Sequence, residues 1–215
     1  MPSLKWKIAQ HFELVWWKRH LKDQSVAAYL DKKKKYWKKV LELTNIQTNM
    51  DASILDAGCG PSGMFTILNN HKVDALDPLL NKYTAELSHF KPDWYPNVNF
   101  SANTIESFQT SNTYDVIFCL NAINHVDQLE KSLEKLIALL KPEGRLLLSV
   151  DTHRWKTLKI LFQYLPGDIL HPHQYDLSDY LLKIRAANAF VQQTFLMKRQ
   201  FIFDYHFITI TKKTQ

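Results

Sequence analysis

A glycine-rich turn between two apolar stretches is the feature that most constrains what this chain can fold into. Residues 53–63 read Ser-Ile-Leu-Asp-Ala-Gly-Cys-Gly-Pro-Ser-Gly, in which Gly58, Gly60 and Gly63 have the spacing GxGxxG. Glycine tolerates a positive φ angle and lets the backbone approach a ligand closely. Because apolar residues precede the loop and follow it, we predict a strand, a glycine turn and a helix over about residues 62–68.

Two aspartates add to the meaning of this loop. Asp56 lies two residues before Gly58, and Asp77 ends a second apolar run, 73–76, at 19 residues after Gly58. This is near the spacing at which an acidic residue after the second strand contacts ribose hydroxyls. A carboxylate suits that role because it can accept two hydrogen bonds from a vicinal diol. The loop and Asp77 therefore predict a ligand that contains a ribose.

Four segments together resemble the class I S-adenosylmethionine-dependent methyltransferases. They are Leu-Asp-Ala-Gly-Cys-Gly-Pro-Ser-Gly (55–63), Ala-Leu-Asp-Pro (75–78), Tyr-Asp-Val-Ile-Phe-Cys-Leu-Asn-Ala-Ile-Asn-His-Val (114–126) and Leu-Lys-Pro-Glu-Gly-Arg-Leu-Leu-Leu (140–148). The resemblance implies S-adenosylmethionine as the cofactor and S-adenosylhomocysteine as the product. A nicotinamide dehydrogenase and an unrelated α/β protein with a glycine turn are the competing interpretations. The Asp-x-Gly-Cys-Gly form and the Leu-Lys-Pro-Glu-Gly block favour the methyltransferase.

The resemblance also implies the architecture. We predict an α/β fold, a Rossmann-like, seven-stranded, mostly parallel sheet with helices on both faces and an N-terminal helical lid. Residues 1–50 would form the lid or cap segment, and residues 51–215 the methyltransferase domain. Alternating apolar residues over 190–197 and 200–211 predict a terminal hairpin that closes the sheet.

Cysteine content and hydropathy indicate the setting of the chain. Its two cysteines, Cys59 and Cys119, fall at predicted strand ends inside cofactor motifs, where a disulfide would be out of place. We therefore expect a reducing, cytoplasmic location. No apolar run approaches the ~20 residues that span a bilayer, and Lys5, Lys7 and His11 interrupt any signal-peptide core. A membrane is thus not among the predicted partners, and the oligomeric state stays open.

Basic charge is concentrated in the N-terminal segment. Residues 1–50 contain 11 lysines and arginines against four acidic residues, whereas the remainder contains 16 against 17. Residues 3–44 have helical periodicity, and the run 32–35 within them consists of four lysines, which indicates a solvated helix face or a contact with an acidic partner. The charge supports an alternative function, an RNA or protein methyltransferase that docks an acidic partner through this segment.

The resemblance places the cofactor at the strand ends that carry the family's motifs. Thirteen residues are expected to bind it: Asp56, Gly58, Cys59, Gly60, Asp77, Pro78, Asn103, Thr104, Ile105, Leu120, Asn121, His125 and Tyr36. At Asn103 the family usually has an acidic residue that accepts from the adenine amino group, and an amide oxygen can still accept there without a charge. Tyr36 and Trp37 belong to the predicted lid, because the family often uses helices before the first strand to enclose its ligands.

Histidines are concentrated in the loops that we expect to face the substrate. His125 follows strand four, and His171, His173 and Tyr175 belong to the sequence Leu-His-Pro-His-Gln-Tyr. A neutral imidazole near pH 7 can accept a proton from an amine or a hydroxyl. We predict that His173 or His125 positions or deprotonates the nucleophile, with His171 beside them and Tyr175 as a hydrogen-bonding wall. The alternative for His125 is that it only holds its loop.

A further histidine raises the question of a metal ion. His153 lies two residues after Asp151, in the loop expected after a fifth strand at 145–150. His171 and His173 are two residues apart, so they could share an ion with Asp151 or His153. No cysteine or carboxylate cluster accompanies them, and we therefore predict no metal.

Absent motifs narrow the class of acceptor. Methyltransferases of exocyclic base amino groups or glutamine have an Asn/Asp-Pro-Pro-aromatic turn after strand four, where this chain has Leu-Asn-Ala-Ile (120–123). Enzymes that methylate pyrimidine C5 use a Pro-Cys nucleophile, and no cysteine here follows a proline. We therefore expect methyl transfer to an oxygen or nitrogen of a small polar molecule. A non-catalytic cofactor-binding protein is disfavoured because residues 56–63 retain an intact motif.

Overall fold

A seven-stranded sheet forms the centre of the structure, a computed structural model that describes residues 3–155, 173 and 175–213. The strands are β1 (Ile54–Ala57), β2 (Val73–Leu76), β3 (Val98–Ser101), β4 (Tyr114–Cys119), β5 (Leu140–His153), β6 (Ala189–Arg199) and β7 (Phe203–Lys212). They lie in the order β3-β2-β1-β4-β5-β7-β6, and among these seven strands β7 alone runs in the opposite direction to the other six. The predicted Rossmann-like, mostly parallel sheet is confirmed, and so is its terminal hairpin.

Helices pack on both faces of the sheet, as predicted. The described helices are α1 (Leu4–Leu21), α2 (Val26–Thr44), α3 (Leu80–Glu86), α4 (Leu129–Ala138) and α5 (Leu177–Ala186). Buried residues of α1, α2 and α3 form one apolar cluster with Ile54, whereas those of α4 and α5 form a second cluster with Leu55. Successive side chains of β1 thus point to opposite faces, and the whole strand is buried, as in other parallel sheets.

The two N-terminal helices start where the sequence supplies capping residues. The Ser3 hydroxyl accepts from the Trp6 amide and the Ser25 hydroxyl accepts from the Ala28 amide, which satisfies amides that have no partner inside the helix. Helix α2 ends at Asn45, whose φ of 50° is the left-handed conformation common at helix ends. In the part of the chain that the structure describes, no helix combines the length and the apolar character needed to cross a bilayer.

The segment after the glycine turn is not the helix that we predicted over 62–68. It forms two short 3-10 turns, Gly60–Ser62 and Met64–Ile67, separated by Gly63 in an extended conformation. The Asp56 carboxylate explains the break, because its Oδ2 accepts from the Phe65 amide at 3.0 Å and pins the backbone beneath the loop. A Cβ at Gly63 would lie 2.4 Å from that same oxygen.

Strand β5 extends beyond both ends of the predicted range, 145–150. It pairs antiparallel with β7 as far as His153, which lies opposite Phe203 and is buried. The prediction that His153 lies in a substrate-facing loop is therefore wrong. The reason is tertiary, because the returning strand β7 pairs with β5 from Arg145 to His153 and so extends the strand beyond the predicted end.

Candidate active site

A cavity of about 390 Å³ opens at the carboxyl ends of β1, β2 and β4. The strand order reverses between β1 and β4, and open α/β sheets bind ligands at such a switch point. Its described lining residues are Trp6, Gln10, Glu13, Trp16, Trp17, Lys33, Trp37, Gly58, Cys59, Gly60, Ser62, Leu76, Asp77, Pro78, Thr104, Ile105, Glu106, Leu120, Asn121, Ala122, His125 and Val126. The volume falls within the range of about 300–1,000 Å³ that is usual for small-molecule sites.

The glycine loop forms the floor of this cavity. Gly58 and Gly60 have φ angles of 68° and 56°, which side chains rarely allow. The amides of Gly58 and Cys59 donate to the Leu76 carbonyl at 2.7 and 3.0 Å, which ties the loop to the end of β2. A Cβ at Gly58 would lie 2.2 Å from the Ala122 Cβ, so glycine is also needed for the close approach of the loop that follows β4.

Asp77 presents a carboxylate to the cavity. Its Oδ2 accepts from the Gly60 amide at 3.0 Å and its Oδ1 accepts from the Leu79 amide at 2.8 Å. Burial raises the pKa of Asp77 to about 7, and the nearby Glu13 carboxylate adds to the increase. Glu13 itself accepts from the Tyr83 hydroxyl at 3.2 Å. Helix α1 thus places a second carboxylate beside the one that ends β2.

The loops after β3 and β4 form the opposite wall. Thr104, Ile105 and Leu120 line it, as does Asn121, whose φ of 54° turns the chain at the end of β4. The Asn121 amide donates to the Ser149 hydroxyl of β5 at 2.7 Å. The wall therefore combines apolar Ile105 and Leu120 with the polar Thr104, and a hydrogen bond to β5 fixes it on its β4 side.

Helix α2 is fastened directly onto the glycine loop. The Tyr29 hydroxyl and the Ser62 hydroxyl are 2.7 Å apart, and the Trp37 indole N–H donates to the Ser62 carbonyl at 2.8 Å. Tyr29, Lys33 and Trp37 are spaced by four residues and so lie on one helix face. Lys33 therefore lies between the two anchors, with its Nζ 5.1 Å from the centre of the Trp37 ring.

Comparison with known proteins identifies the family. A family model described as a methyltransferase domain matches residues 25–189, more than half of the chain. Together with the glycine loop, Asp77 and the sheet order, this match is decisive. The chain belongs to the class I S-adenosylmethionine-dependent methyltransferases.

Curated relatives of this methyltransferase match only part of it. The ubiquinone biosynthesis O-methyltransferase of Rickettsia felis is 33% identical over 98 residues, which cover 45% of this chain and 40% of that protein. The protein of the same name from Rickettsia canadensis is 31% identical over 110 residues, or 50% of this chain and 46% of the relative. The matched segment thus spans less than half the length of either relative.

Solved structures share the fold over nearly the whole methyltransferase. The 1,6-didemethyltoxoflavin-N1-methyltransferase of Burkholderia thailandensis has a TM-score of 0.68 at 17% identity, covering 97% of this chain and 89% of that chain. The magnesium protoporphyrin IX methyltransferase of Synechocystis has a TM-score of 0.62 at 16% identity, with coverages of 95% and 94%. Both of those structures contain S-adenosylhomocysteine.

Most of the residues that the methyltransferase motifs predicted for the cofactor line the cavity. These are Gly58, Cys59, Gly60, Asp77, Pro78, Thr104, Ile105, Leu120, Asn121 and His125. Asp56 lies beneath them, where burial raises the pKa of its carboxyl to about 7. The Asn103 side chain is exposed and donates to the Ser101 hydroxyl at 2.7 Å, and Glu106 lines the wall instead.

Of the predicted catalytic residues, the structure brings His125 to the cavity wall. Its carbonyl accepts from the Trp6 indole N–H at 2.9 Å, which joins α1 to the loop after β4. Within the described part of the chain, the wall contains no other histidine.

His173 and Tyr175 lie behind this wall. The His173 Nε2–H donates to the Val126 carbonyl at 2.8 Å, and its ring stacks on Tyr175 with the ring centres 6.1 Å apart. Burial lowers the pKa of His173. His171 lies outside the described residues. Among residues 3–155, 173 and 175–213, no three His, Cys, Asp or Glu side chains are grouped as a metal site.

Helix α1 supplies the lining residues that sequence reasoning missed. Trp6, Gln10, Glu13 and Trp17 are separated by four, three and four residues, so they project from one helix face. That spacing was available in the sequence. On α2 both Tyr36 and Trp37 were predicted to belong to the lid, and Tyr36 to bind the cofactor. Trp37 lines the cavity and Tyr36 does not, because consecutive helical residues point about 100° apart.

Proposed function

We propose that this methyltransferase moves the methyl group of S-adenosylmethionine to an oxygen or nitrogen nucleophile of a small polar molecule. One observation carries the proposal. One cavity joins the glycine loop and Asp77 to the aromatic inner faces of α1 and α2, so an acceptor held by these helices would lie next to a cofactor on the loop. The curated relatives are named as O-methyltransferases, which favours oxygen as the accepting atom.

The residues present fit the cofactor. The Asp77 carboxylate accepts from two backbone amides and retains acceptor capacity for the two hydroxyls of a ribose. Gly58 and Gly60 leave no side chain between the loop backbone and the cavity. Ile105 and Leu120 offer apolar surface to a flat base. We therefore assign these five residues to cofactor binding.

The cofactor, when bound, supplies a methyl group on a sulfonium leaving group. The chain must orient the nucleophile, exclude water and accept a proton where the acceptor releases one. Trp6, Trp17 and Trp37 cover the cavity and exclude water from it. His125 is the lining imidazole, and we assign to it the acceptance of that proton. His173, through the Val126 carbonyl, positions the His125 loop from behind.

Lys33 indicates the chemical class of the acceptor. Its ammonium group lies against the Trp37 and Tyr36 rings at 5.1 and 5.8 Å, and in the described residues no carboxylate pairs with it. A cation in an aromatic-lined cavity attracts an anionic oxygen at higher strength than it would in water. We therefore expect an acceptor with an acidic hydroxyl or a carboxylate.

The proposal also covers the roles of the two segments of the chain and the cellular location of the protein. We assign residues 1–50 to the lid and residues 51–215 to the methyltransferase domain. Cys59 and Cys119 are both buried free thiols, which supports a reducing, cytoplasmic setting. The comparisons do not favour the alternative of an RNA or protein substrate.

Calorimetric titration with S-adenosylhomocysteine tests the cofactor assignment. We expect the wild type to bind and Asp77→Ala to bind at least about tenfold more weakly, because hydrogen bonds to a charged acceptor are lost. Asp93→Ala, at an exposed carboxylate far along the chain from the glycine loop, is the matched control and keeps full affinity. Equal binding by Asp77→Ala and wild type, or no binding by wild type, would contradict the proposal, and NAD would then be the next ligand to titrate.

A further inference from the structure

Helix α1 has apolar residues on the face that points away from the protein. Leu4, Ile8, Phe12, Val15 and Trp16 are each between 42% and 75% exposed. At 3.6 residues per turn their side chains fall within about 120° of one another, on the side opposite the buried Leu14 and Leu21. We call these five residues the outer stripe. A contiguous apolar stripe on a surface helix marks a contact surface.

The charges around the outer stripe define what it can contact. Helix α1 and the residue that follows it contain Lys5, Lys7, Arg19 and Lys22, as well as Lys18, which forms an ion pair with Glu86. The single acidic residue of the helix, Glu13, points inward and lines the cavity. The outer face of α1 is therefore apolar and carries basic side chains with no acidic residue of the helix, so it complements the headgroup region of an anionic lipid surface.

A second exposed apolar pair lies at the same edge of the sheet. Trp155 follows the carboxyl end of β5, and its indole N–H donates to the carbonyl of Phe201 at 3.1 Å. Both side chains are exposed, and Phe201 belongs to the turn between β6 and β7. The carboxyl edge of the sheet therefore carries exposed aromatic groups at both α1 and this turn. Aromatic side chains of this kind favour the interface between lipid and water.

We propose that the outer stripe of α1 docks this methyltransferase onto an anionic lipid surface. The inner face of the same helix walls the cavity, and Trp16 is both exposed and part of that wall. Because Trp16 belongs to both surfaces, docking would place this lining residue at the lipid surface, where an acceptor held in the lipid would meet it. This last step rests on the proposed function, whereas docking itself does not.

Flotation with lipid vesicles tests the docking without cofactor or turnover. The wild type should bind vesicles of phosphatidylcholine with phosphatidylglycerol, bind pure phosphatidylcholine vesicles far more weakly, and be released by salt. The double variant Ile8→Asp/Phe12→Asp should bind the anionic vesicles at least about tenfold more weakly, because two apolar side chains no longer insert. Leu182→Asp, at an exposed leucine of α5, should bind as the wild type does.

A second variant and a folding control complete the vesicle experiment. Lys5→Gln/Lys7→Gln leaves the outer stripe intact and should also weaken binding to anionic vesicles, and urea unfolding verifies that each variant is folded. Absence of wild-type binding to the anionic vesicles, or unchanged binding by Ile8→Asp/Phe12→Asp, overturns the proposal. The proposal is also overturned if the wild type is a dimer that does not bind vesicles and the double variant is a monomer. The outer stripe would then be the contact between two copies of the chain.

Discussion

Two carboxylates share one side of the cavity, and their proximity decides how the site responds to pH. Asp77 ends β2, and Glu13 reaches it from α1 while accepting from the Tyr83 hydroxyl. Like charges close together in a buried place disfavour ionisation, and here burial is the larger cause. Burial and the Glu13 carboxylate thus both raise the pKa of Asp77, which brings its ionisation towards neutral pH.

Ligand affinity should therefore increase with pH. A ribose diol donates to the ionised carboxylate, so the affinity for S-adenosylhomocysteine should rise through about pH 7 and fall by about tenfold per unit below it. Glu13→Gln removes a like charge and should shift this midpoint to lower pH. Calorimetry at several pH values measures the effect, with Asp77→Asn as the variant that has no such midpoint. A wild-type affinity that does not vary between about pH 5.5 and 8 would contradict this assignment.

Lys33 should lower the free energy of unfolding although it helps to bind the acceptor. Burial lowers its pKa from 10.5 to about 8, so the folded state disfavours the charged amine. Below about pH 8 the amine is charged in both folded and unfolded chains and the penalty is complete, and it disappears as the pH rises towards 10.5. At pH 7, Lys33→Met should raise the free energy of unfolding by about 1 kcal/mol, a value reduced for partial solvent exposure.

Lys33→Met should also have a lower affinity for an acceptor that carries an acidic oxygen. Lys38→Met, at an exposed lysine of the same helix, is the matched control and should change neither quantity. Urea denaturation gives the stability, and initial rates over a panel of acidic and neutral acceptors give the binding. If Lys33→Met is less stable than the wild type and gives the same initial rates with acidic and with neutral acceptors, Lys33 has a packing role only.

At the scale of elements, α2 is attached directly to the glycine loop that forms the floor of the cavity. Tyr29 and Trp37 both contact Ser62, one through its hydroxyl and one through its carbonyl. All three residues are buried, so each polar group depends on its partner in place of water. Any shift of α2 is thus transmitted to the loop that carries Gly60.

A double-mutant cycle measures this attachment. Tyr29→Phe leaves the Ser62 hydroxyl without its partner and should lower the free energy of unfolding by about 1–2 kcal/mol. Adding Ser62→Ala should cost less than the sum of the two single changes, because both polar groups are then gone. Urea denaturation of the four proteins gives the coupling energy. Strict additivity would mean that the 2.7 Å contact contributes nothing to stability.

At the scale of the whole molecule, ligand binding should stabilise the fold because the site is assembled from distant parts of the chain. The cavity combines α1, α2, the glycine loop and the ends of β2 and β4. A ligand present at 100 times its dissociation constant adds about 2.7 kcal/mol to the free energy of unfolding. For a domain of this size the melting temperature should rise by about 5–10 °C.

Differential scanning fluorimetry with S-adenosylhomocysteine measures that increase. Asp77→Ala at the same ligand concentration should show a much smaller shift, while Asp93→Ala should match the wild type. A shift of equal size in all three proteins would mean that the ligand binds elsewhere.

Local patterns predicted the parts of this site that depend on the backbone. Gly58, Gly60 and Asp77 were predictable because loop conformation and strand ends are specified by residues close in sequence. The predictions were less accurate where the direction of a side chain decides whether it lines the cavity. Trp37 lines the cavity while Tyr36 does not, and Glu106 lines it while Asn103 points outward, since a shift of one to three residues changes which way a side chain points.

The sequence by itself determined the glycine loop with its aspartate, because these follow from short apolar periods and from turn residues that have few conformations. The family and the sheet of seven strands came from the resemblance of four sequence segments to known methyltransferases. Only the tertiary structure decided which helix faces close the cavity, that His153 is buried against Phe203 and that His173 braces the Val126 carbonyl. The physical reason is that burial and side-chain direction depend on contacts between segments far apart in the chain. Glu13 and Asp77, 64 residues apart, meet only when α1 packs over the carboxyl end of β2.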